Sequence, residues 1–277
     1  MLGLVACATV TCSKFVSEES ATNDGGAAPD ASQEASPDGA PPVDAGPFCD
    51  GGHAFCVDFD DTGASYAVER DWTTVTSTST SMTFSGAPFR SPPNALHVSA
   101  EGGPAQGFLR SKNIALGGPL TKVILSHALH PRAVAPFGNG DTIYVFARLF
   151  LYSASDVMVG LAWVDWNVNG LTLIVNPKDG GNTKLFGEVA GALDAGGGPL
   201  GVDDWVTEVL IADFNTNGFS AVVRDKDGMQ KAMASISGGF DFHDVSYVAV
   251  EVGPITNELG ASALDVSIDD IVVDFVP

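Results

Sequence analysis

The sequence predicts an all-β protein: a β-sandwich of two antiparallel sheets carried behind a disordered N-terminal tether. Three observations carry this expectation. Apolar and polar residues alternate in short runs such as Tyr144-Val145-Phe146-Ala147-Arg148-Leu149-Phe150 and Trp205-Val206-Thr207-Glu208-Val209-Leu210-Ile211, the period of a strand. Two turn signals, Asn215-Thr216-Asn217-Gly218 and Asp225-Lys226-Asp227-Gly228, sit between such runs and read as hairpins. The 32 glycines and 16 prolines are scattered along the chain, which suits many turns and few helices.

Taken in order, the folded region opens with Phe55-Cys56-Val57-Asp58-Phe59-Asp60-Asp61. Strand patterns follow over 72–76, 80–84, 95–100, 107–116 and 120–130. The central ones cover 144–150, 157–168, 171–176 and 183–190. The Trp205–Asp213 run leads into the hairpin strands 219–224 and 229–236. Residues 246–252 and the terminal run Leu264 to Phe275 complete the set. A single helical turn fits only near 240–244. The number and spacing of these segments are those of a sandwich.

The region before them has a different composition. Residues 13–47 are rich in Ala, Asp, Ser, Gly and Pro and hold seven acids between Phe15 and Pro47 with no Lys or Arg. Such a segment cannot bury enough apolar surface to offset its ordering entropy, so a disordered acidic linker is expected there. Residues 1–12 contain Leu4-Val5-Ala6-Cys7, which resembles a bacterial lipobox, with Cys7 as the lipidated residue. Only three residues precede Leu4 and none is basic, so 1–12 is read as a truncated or mis-started export signal. The domain itself is expected over 48–277. The net charge, 13 − 34 = −21, repels phosphate backbones and argues against a nucleic-acid partner. Cys49 and Cys56 do not have the spacing of a metal knuckle. In an exported protein they are expected to pair as a local disulfide, contributing about 2–3 kcal/mol on the chain-entropy model.

The opening Val57-Asp58-Phe59-Asp60, the strand Ser91-Pro92-Pro93-Asn94-Ala95-Leu96-His97-Val98, the Asp204-Trp205 start of a long strand and the closing Ile268-Asp269-Asp270-Ile271 occur in an order that resembles the concanavalin A-like lectin/glucanase superfamily, with its laminin G-like and MAM-like sandwiches. The resemblance implies a concanavalin A-like jelly roll whose first and last strands are partners. It also implies a structural Ca²⁺ held by Asp58, Asp60 and Asp270, with Asp269 as a further candidate, since Ca²⁺ takes about six to eight hard oxygen ligands.

Other motifs carry less. Asp213-Phe-Asn215-Thr-Asn217-Gly218 matches half an EF-hand loop, but the twelfth position is Arg224, so it is read as a hairpin turn. Gly196 to Gly201 fits a dinucleotide pattern yet leads into a strand instead of a helix, so it is read as a loop. His127 and His130 are three apart in a strand and point to opposite faces. Glycoside hydrolysis needs two carboxylates about 5–10 Å apart. The family 16 motif is absent, and Asp165, Glu188, Glu208 and Asp213 are the acids that remain to supply such a pair. Sugar binding would draw on Trp163, Trp166, Tyr144, Tyr152 and Arg148. Trp163 and Trp166 have opposite parity and cannot share one face without a bulge. Arg148 needs a partner, for which Asp165 and Glu188 are the candidates.

These readings converge on an exported module of the bacterial cell envelope or outer surface, held to the membrane through an N-terminal lipid. Its expected role is non-catalytic binding of a glycan or another cell-surface ligand, at Arg148, Trp163, Asp165 and Glu188. A glycan-cleaving hydrolase or lyase and a purely structural lipoprotein are the alternatives.

Overall fold

The structure is a computed structural model. It describes residues 49, 52–57, 59, 72–77, 79–85, 88, 90, 94–100, 106–134, 144–167, 170–177, 185–189, 204–238, 240–256 and 264–277. All lie within the unit Asp44–Pro277. Four expectations lie outside the described residues: the lipid site at Cys7, the 13–47 linker, the Gly196–Gly201 loop and the acids Asp58 and Asp60.

The described residues form sixteen strands: β1 (Phe55–Val57), β2 (Trp72–Thr76), β3 (Thr80–Ser85), β4 (Ala95–Ala100), β5 (Gly107–Ser111), β6 (Ile114–Ala115), β7 (Lys122–Val134) and β8 (Tyr144–Ser153) in the first half. The second half contributes β9 (Met158–Asn167), β10 (Gly170–Pro177), β11 (Leu185–Val189), β12 (Val206–Asp213), β13 (Gly218–Arg224), β14 (Gln230–Ser237), β15 (Val245–Thr256) and β16 (Leu264–Val276). Sheet 1 runs β14-β13-β12-β7-β16-β4-β3, and β1 also pairs with β16. Sheet 2 runs β11-β10-β9-β8-β15-β5-β2, and β6 also pairs with β15. The pairings are antiparallel throughout, as a jelly roll requires, so the fold class expected from the sequence is the one observed.

The two ends of the domain meet as the motifs imply. Phe55, Cys56 and Val57 lie opposite Val273, Val272 and Ile271. Cys49 is joined to Cys56 by a disulfide with Cα atoms 5.5 Å apart, and His53 Nδ1 is 2.7 Å from Asp274 Oδ1. The turn beginning at Asp213 is a hairpin turn: its Oδ1 accepts from the Asn215 and Thr216 N–H groups, and β12 passes directly into β13. Asn217 there takes φ 46°.

Several strands extend beyond their expected limits, and two of the differences have a local cause. The 107–116 segment is split into β5 and β6, because Ser111, still opposite Trp72 in β2, leaves the ladder with β15 and its Oγ accepts from Val250 N–H instead. β7 continues through Pro131 to Val134. Proline is tolerated there because β12 stops pairing at Leu129, so no neighbour on that side needs the missing N–H.

The sheets close on one apolar core. β12 shows the logic: Val206, Glu208, Leu210 and Ala212 are buried, and Thr207, Val209, Ile211 and Asp213 are less so. Phe146, Phe219 and Phe242 are among the largest fully buried side chains. Sheet 2 departs from this alternation. In β8 nearly every residue is buried, and Phe150, Leu161 and Ala249 form a second apolar cluster apart from the main core. The outward face of sheet 2 therefore has an apolar floor covered by longer side chains, and that floor positions the candidate site.

Candidate ligand-binding face

Register places a single row of side chains across sheet 2. Arg110 on β5 lies opposite Glu251 on β15, Glu251 opposite Arg148 on β8, Arg148 opposite Trp163 on β9, and Trp163 opposite Ile174 on β10. Partners directly opposite in antiparallel strands share a face, so the row is continuous. Beneath and beside it lie Phe108, Phe150, Leu161 and Ala249, each under a tenth exposed.

Glu251 organises the row. It is 3% exposed, and its two oxygens are divided between two guanidiniums: Oε1 accepts from Arg110 Nη1 at 3.0 Å, and Oε2 lies 2.7 Å from Arg148 Nε. Arg110 also donates from Nη2 to the Tyr152 hydroxyl at 2.9 Å. The guanidiniums rest on rings, Arg110 over Phe150 at 5.0 Å and Arg148 over Phe108 at 5.5 Å and Phe150 at 5.8 Å, a cation–π arrangement. Burial pushes the Glu251 carboxyl up and the Arg148 guanidinium down, against the attraction between them. The side chains of Arg148 and Arg110 remain 26% and 40% exposed, so their outer nitrogens reach solvent.

An aromatic ladder continues the face. Phe150, Tyr152 and Tyr247 stack in sequence at 6.1 and 5.1 Å. The Tyr247 hydroxyl donates to Asp156 Oδ1 at 2.6 Å, which pushes its pKa up to about 12. Trp163 is tied down by its Nε1–H, which donates to Asp165 Oδ1 at 2.6 Å.

Of the expected binding residues, Arg148, Trp163 and Asp165 share this face. Glu188 sits on β11 opposite Thr172, whose other neighbour is Asp165; nothing further of its side chain is described. The partner of Arg148 is Glu251, not Asp165 or Glu188. Asp165 instead holds Trp163, and Glu251 was hidden because Val250-Glu251-Val252 reads as plain core strand. Trp166 and Tyr144 belong to the core, as the parity argument requires for Trp166. Glu208 is fully buried between the sheets, and Asp213 caps a turn of sheet 1, so neither joins Asp165 in a catalytic pair. His127 and His130 do point to opposite faces. His127 is opposite the inward Glu208, and His130 packs against Trp205 at 5.1 Å on the outer side.

Of the acids that the resemblance assigns to Ca²⁺, Asp270 and the further candidate Asp269 are described. Asp270 occupies a bulge of β16 with φ 50°. Its Oδ2 is 3.7 Å from Arg90 Nε, and the neighbouring Asp269 accepts from Arg90 N–H and from Asp270 N–H. Among the described residues this acidic corner already faces a cation, the Arg90 guanidinium, and no cluster of three His, Cys, Asp or Glu side chains occurs.

No protein-family model matches this chain, and no curated protein matches it. Among solved structures, it is similar in shape to the cellulose-induced protein Cip1, at 10% identity over 79% of this chain and 96% of that one, TM-score 0.49. A similar likeness links it to an endo-β-1,4-glucuronan lyase from the fungus Trichoderma reesei, at 14% identity over 80% and 95% of the two chains, TM-score 0.47. A third is the CBM2 module of the evolved Dit protein of Lactobacillus casei BL23 phage J-1, at 11% identity over 81% and 96%, TM-score 0.49.

Proposed function

We propose that the outward face of sheet 2 binds a glycan without turning it over, and that the glycan carries acidic groups. The observation that supports this best is the Arg110–Glu251–Arg148–Trp163 row. Guanidinium forks donate paired hydrogen bonds to carboxylates and hydroxyls. Rings such as Trp163 and Tyr152 offer an apolar face to a sugar ring while keeping a polar edge. Two guanidiniums against one carboxylate leave the Arg110–Glu251–Arg148 end of the row net positive within a chain of charge −21, while Asp165 and Asp156 lie at its Trp163 and Tyr247 sides, so an acidic group of the ligand is favoured at the arginine end. Binding without reaction is favoured because the carboxylates here already have work: Glu251 holds two arginines, Asp165 holds Trp163 and Asp156 accepts from Tyr247.

Affinity electrophoresis against acidic and neutral polysaccharides tests this. Retardation is expected in the acidic gels, weakened about tenfold or more by Trp163→Ala or by Arg148→Ala. No reducing or unsaturated ends should be released. Release of such ends would favour the hydrolase or lyase reading, and equal migration in all gels would leave the structural one.

The same proposal takes the protein to be exported and anchored to the envelope by lipid on Cys7, with 13–47 as a spacer. It is supported by the lipobox-like Leu4 to Cys7 and by a disulfide that needs an oxidising compartment. Growth of a bacterium expressing the full gene with labelled palmitate should label the protein, and Cys7→Ser should abolish that label. Equal labelling of both forms would reject Cys7 as the site.

A further inference from the structure

The interior of the sandwich contains a polar group of residues that the binding face does not use. Glu208 on β12 lies directly opposite His127 on β7, and both point inward, at 0% and 1% exposure. Glu208 Oε2 accepts from the Trp166 indole N–H at 2.7 Å. Trp166 belongs to β9 of sheet 2, so this bond joins the two sheets through the core. Glu208 Oε1 and both ring nitrogens of His127 have no hydrogen-bonding partner among the described residues. Buried polar atoms are nearly always satisfied, and where protein groups do not reach, internal water does so. Opposed antiparallel residues have Cβ atoms about 4.5–5.5 Å apart, a separation that one water bridges.

We propose that His127 and Glu208 form an internal hydration site, in which a water molecule completes a hydrogen-bonded chain Trp166–Glu208–water–His127 that fastens sheet 1 to sheet 2. The surroundings leave that group alone. Val223 flanks Glu208 on β13, and Tyr144 and Leu171 flank Trp166. Across from His127, β16 bulges between Asp269 and Val272. There Ile271 is buried in the core, and Asp270 is beside Arg90. Among the described residues, Tyr144, Asp269, Asp270 and Arg90 are the titratable or charged groups on the elements packed against the chain. The Tyr144 hydroxyl is pushed up by burial, and Asp270 and Arg90 compensate each other.

Geometry and titration then agree. With no cation beside it, burial raises the Glu208 carboxyl from 4.5 to about 8, although the Trp166 bond works the other way. Burial lowers His127 from 6.5 to about 3. The folded protein thus keeps the Glu208 proton between pH 4.5 and 8 while the unfolded chain gives it up, so stability falls as pH rises through that window. Below pH 6.5 the unfolded chain protonates His127 and the folded protein does not, so stability also falls as pH drops from 6.5 towards 3. The two effects offset each other between pH 4.5 and 6.5, so the contribution to stability is greatest there and falls on either side. The inference is independent of the glycan reading.

The test is NMR on the full-length ¹⁵N-labelled protein, with the Trp166 indole assigned by Trp166→Phe. A carboxylate accepts a hydrogen bond more strongly than a carboxylic acid. The indole proton is therefore expected to move downfield with a midpoint within about one unit of pH 8, and the His127 imidazole to show exchange-relayed contact with water. Glu208→Gln should leave the indole flat from pH 5 to 9.5. If that variant does not fold, the wild-type titration decides alone. An indole resonance that is constant over this range in the wild type overturns the proposal, as does an imidazole without contact to water.

Discussion

Replacement of Glu251 by alanine is expected to destabilise the domain by about 2–3 kcal/mol, measured as a shift of the urea midpoint at constant slope. The physical cause is the stranding of two cations. Glu251 is nearly inaccessible and divides its oxygens between Arg110 and Arg148. Without it, two guanidiniums face each other across the emptied position with aromatic rings beneath them. Removing one partner of a fully buried pair costs about 3–5 kcal/mol. The smaller figure applies because the side chains of Arg110 and Arg148 are 40% and 26% exposed, so water and counterions recover part of the loss. Glu251→Gln keeps the volume and one acceptor, and should lie between wild type and alanine. The double replacement Glu251→Leu with Arg148→Met removes a charge of each sign and should recover much of the loss. A double variant no more stable than Glu251→Ala would show that the arrangement acts through packing instead of charge.

The parts of this fold that could be read from the sequence are those set by local chemistry. Asn217-Gly218 and Asp227-Gly228 announce their turns because residues there must take positive φ, and Asn217 and Gly228 do. The pairing of the closing strand with the first is different: it was implied by the resemblance of the two end motifs to those of concanavalin A-like sandwiches, and the register of β1 and β16 agrees with it. Strand parity separated Trp163 from Trp166 and His127 from His130 without any coordinates. The candidate face was half legible. Arg148 is conspicuous within an apolar strand, and it does need a buried partner. The identity of that partner depends on which strand lies beside β8, and topology puts β15 there from about a hundred residues away. Nothing in Val250-Glu251-Val252 marks this glutamate as different from the many solvated acids of the chain. Glu208 was misplaced for a related reason. Its parity with Val206 and Leu210 is that of a core residue, but its charge argued for solvent, and only the Trp166 indole on the opposite sheet explains how it is accommodated.

A second large effect is expected at Gly253, and it connects backbone shape to the binding face. Gly253 takes φ 135°, a region that side chains avoid, at the irregularity of β15 between Val252 and Ile255. A Cβ built there would collide with the Gly107 carbonyl oxygen and would approach Phe108 Cα to 2.5 Å and Phe108 Cβ to 2.9 Å. Two of these obstacles are backbone atoms of β5, which cannot rotate away. Gly253→Ala therefore combines an unfavourable dihedral, about 1–3 kcal/mol, with overpacking of similar size, and should destabilise the domain by about 3–5 kcal/mol. Gly228 is the control. Its φ is 78° but a Cβ there meets nothing within 4 Å, so Gly228→Ala should cost about 1 kcal/mol from the dihedral alone. The consequence for the face follows from what Phe108 supports. Its ring lies under the Arg148 guanidinium, and β5 also carries Arg110 opposite Glu251. Displacing β5 to admit one methyl group must shift the floor and one arm of the charged row together. Gly253→Ala protein that still folds at low temperature should thus bind acidic polysaccharide more weakly, whereas Gly228→Ala should bind as wild type. Equal urea midpoints for the two alanine variants would show that β15 and β5 do not pack here as closely as the structure places them.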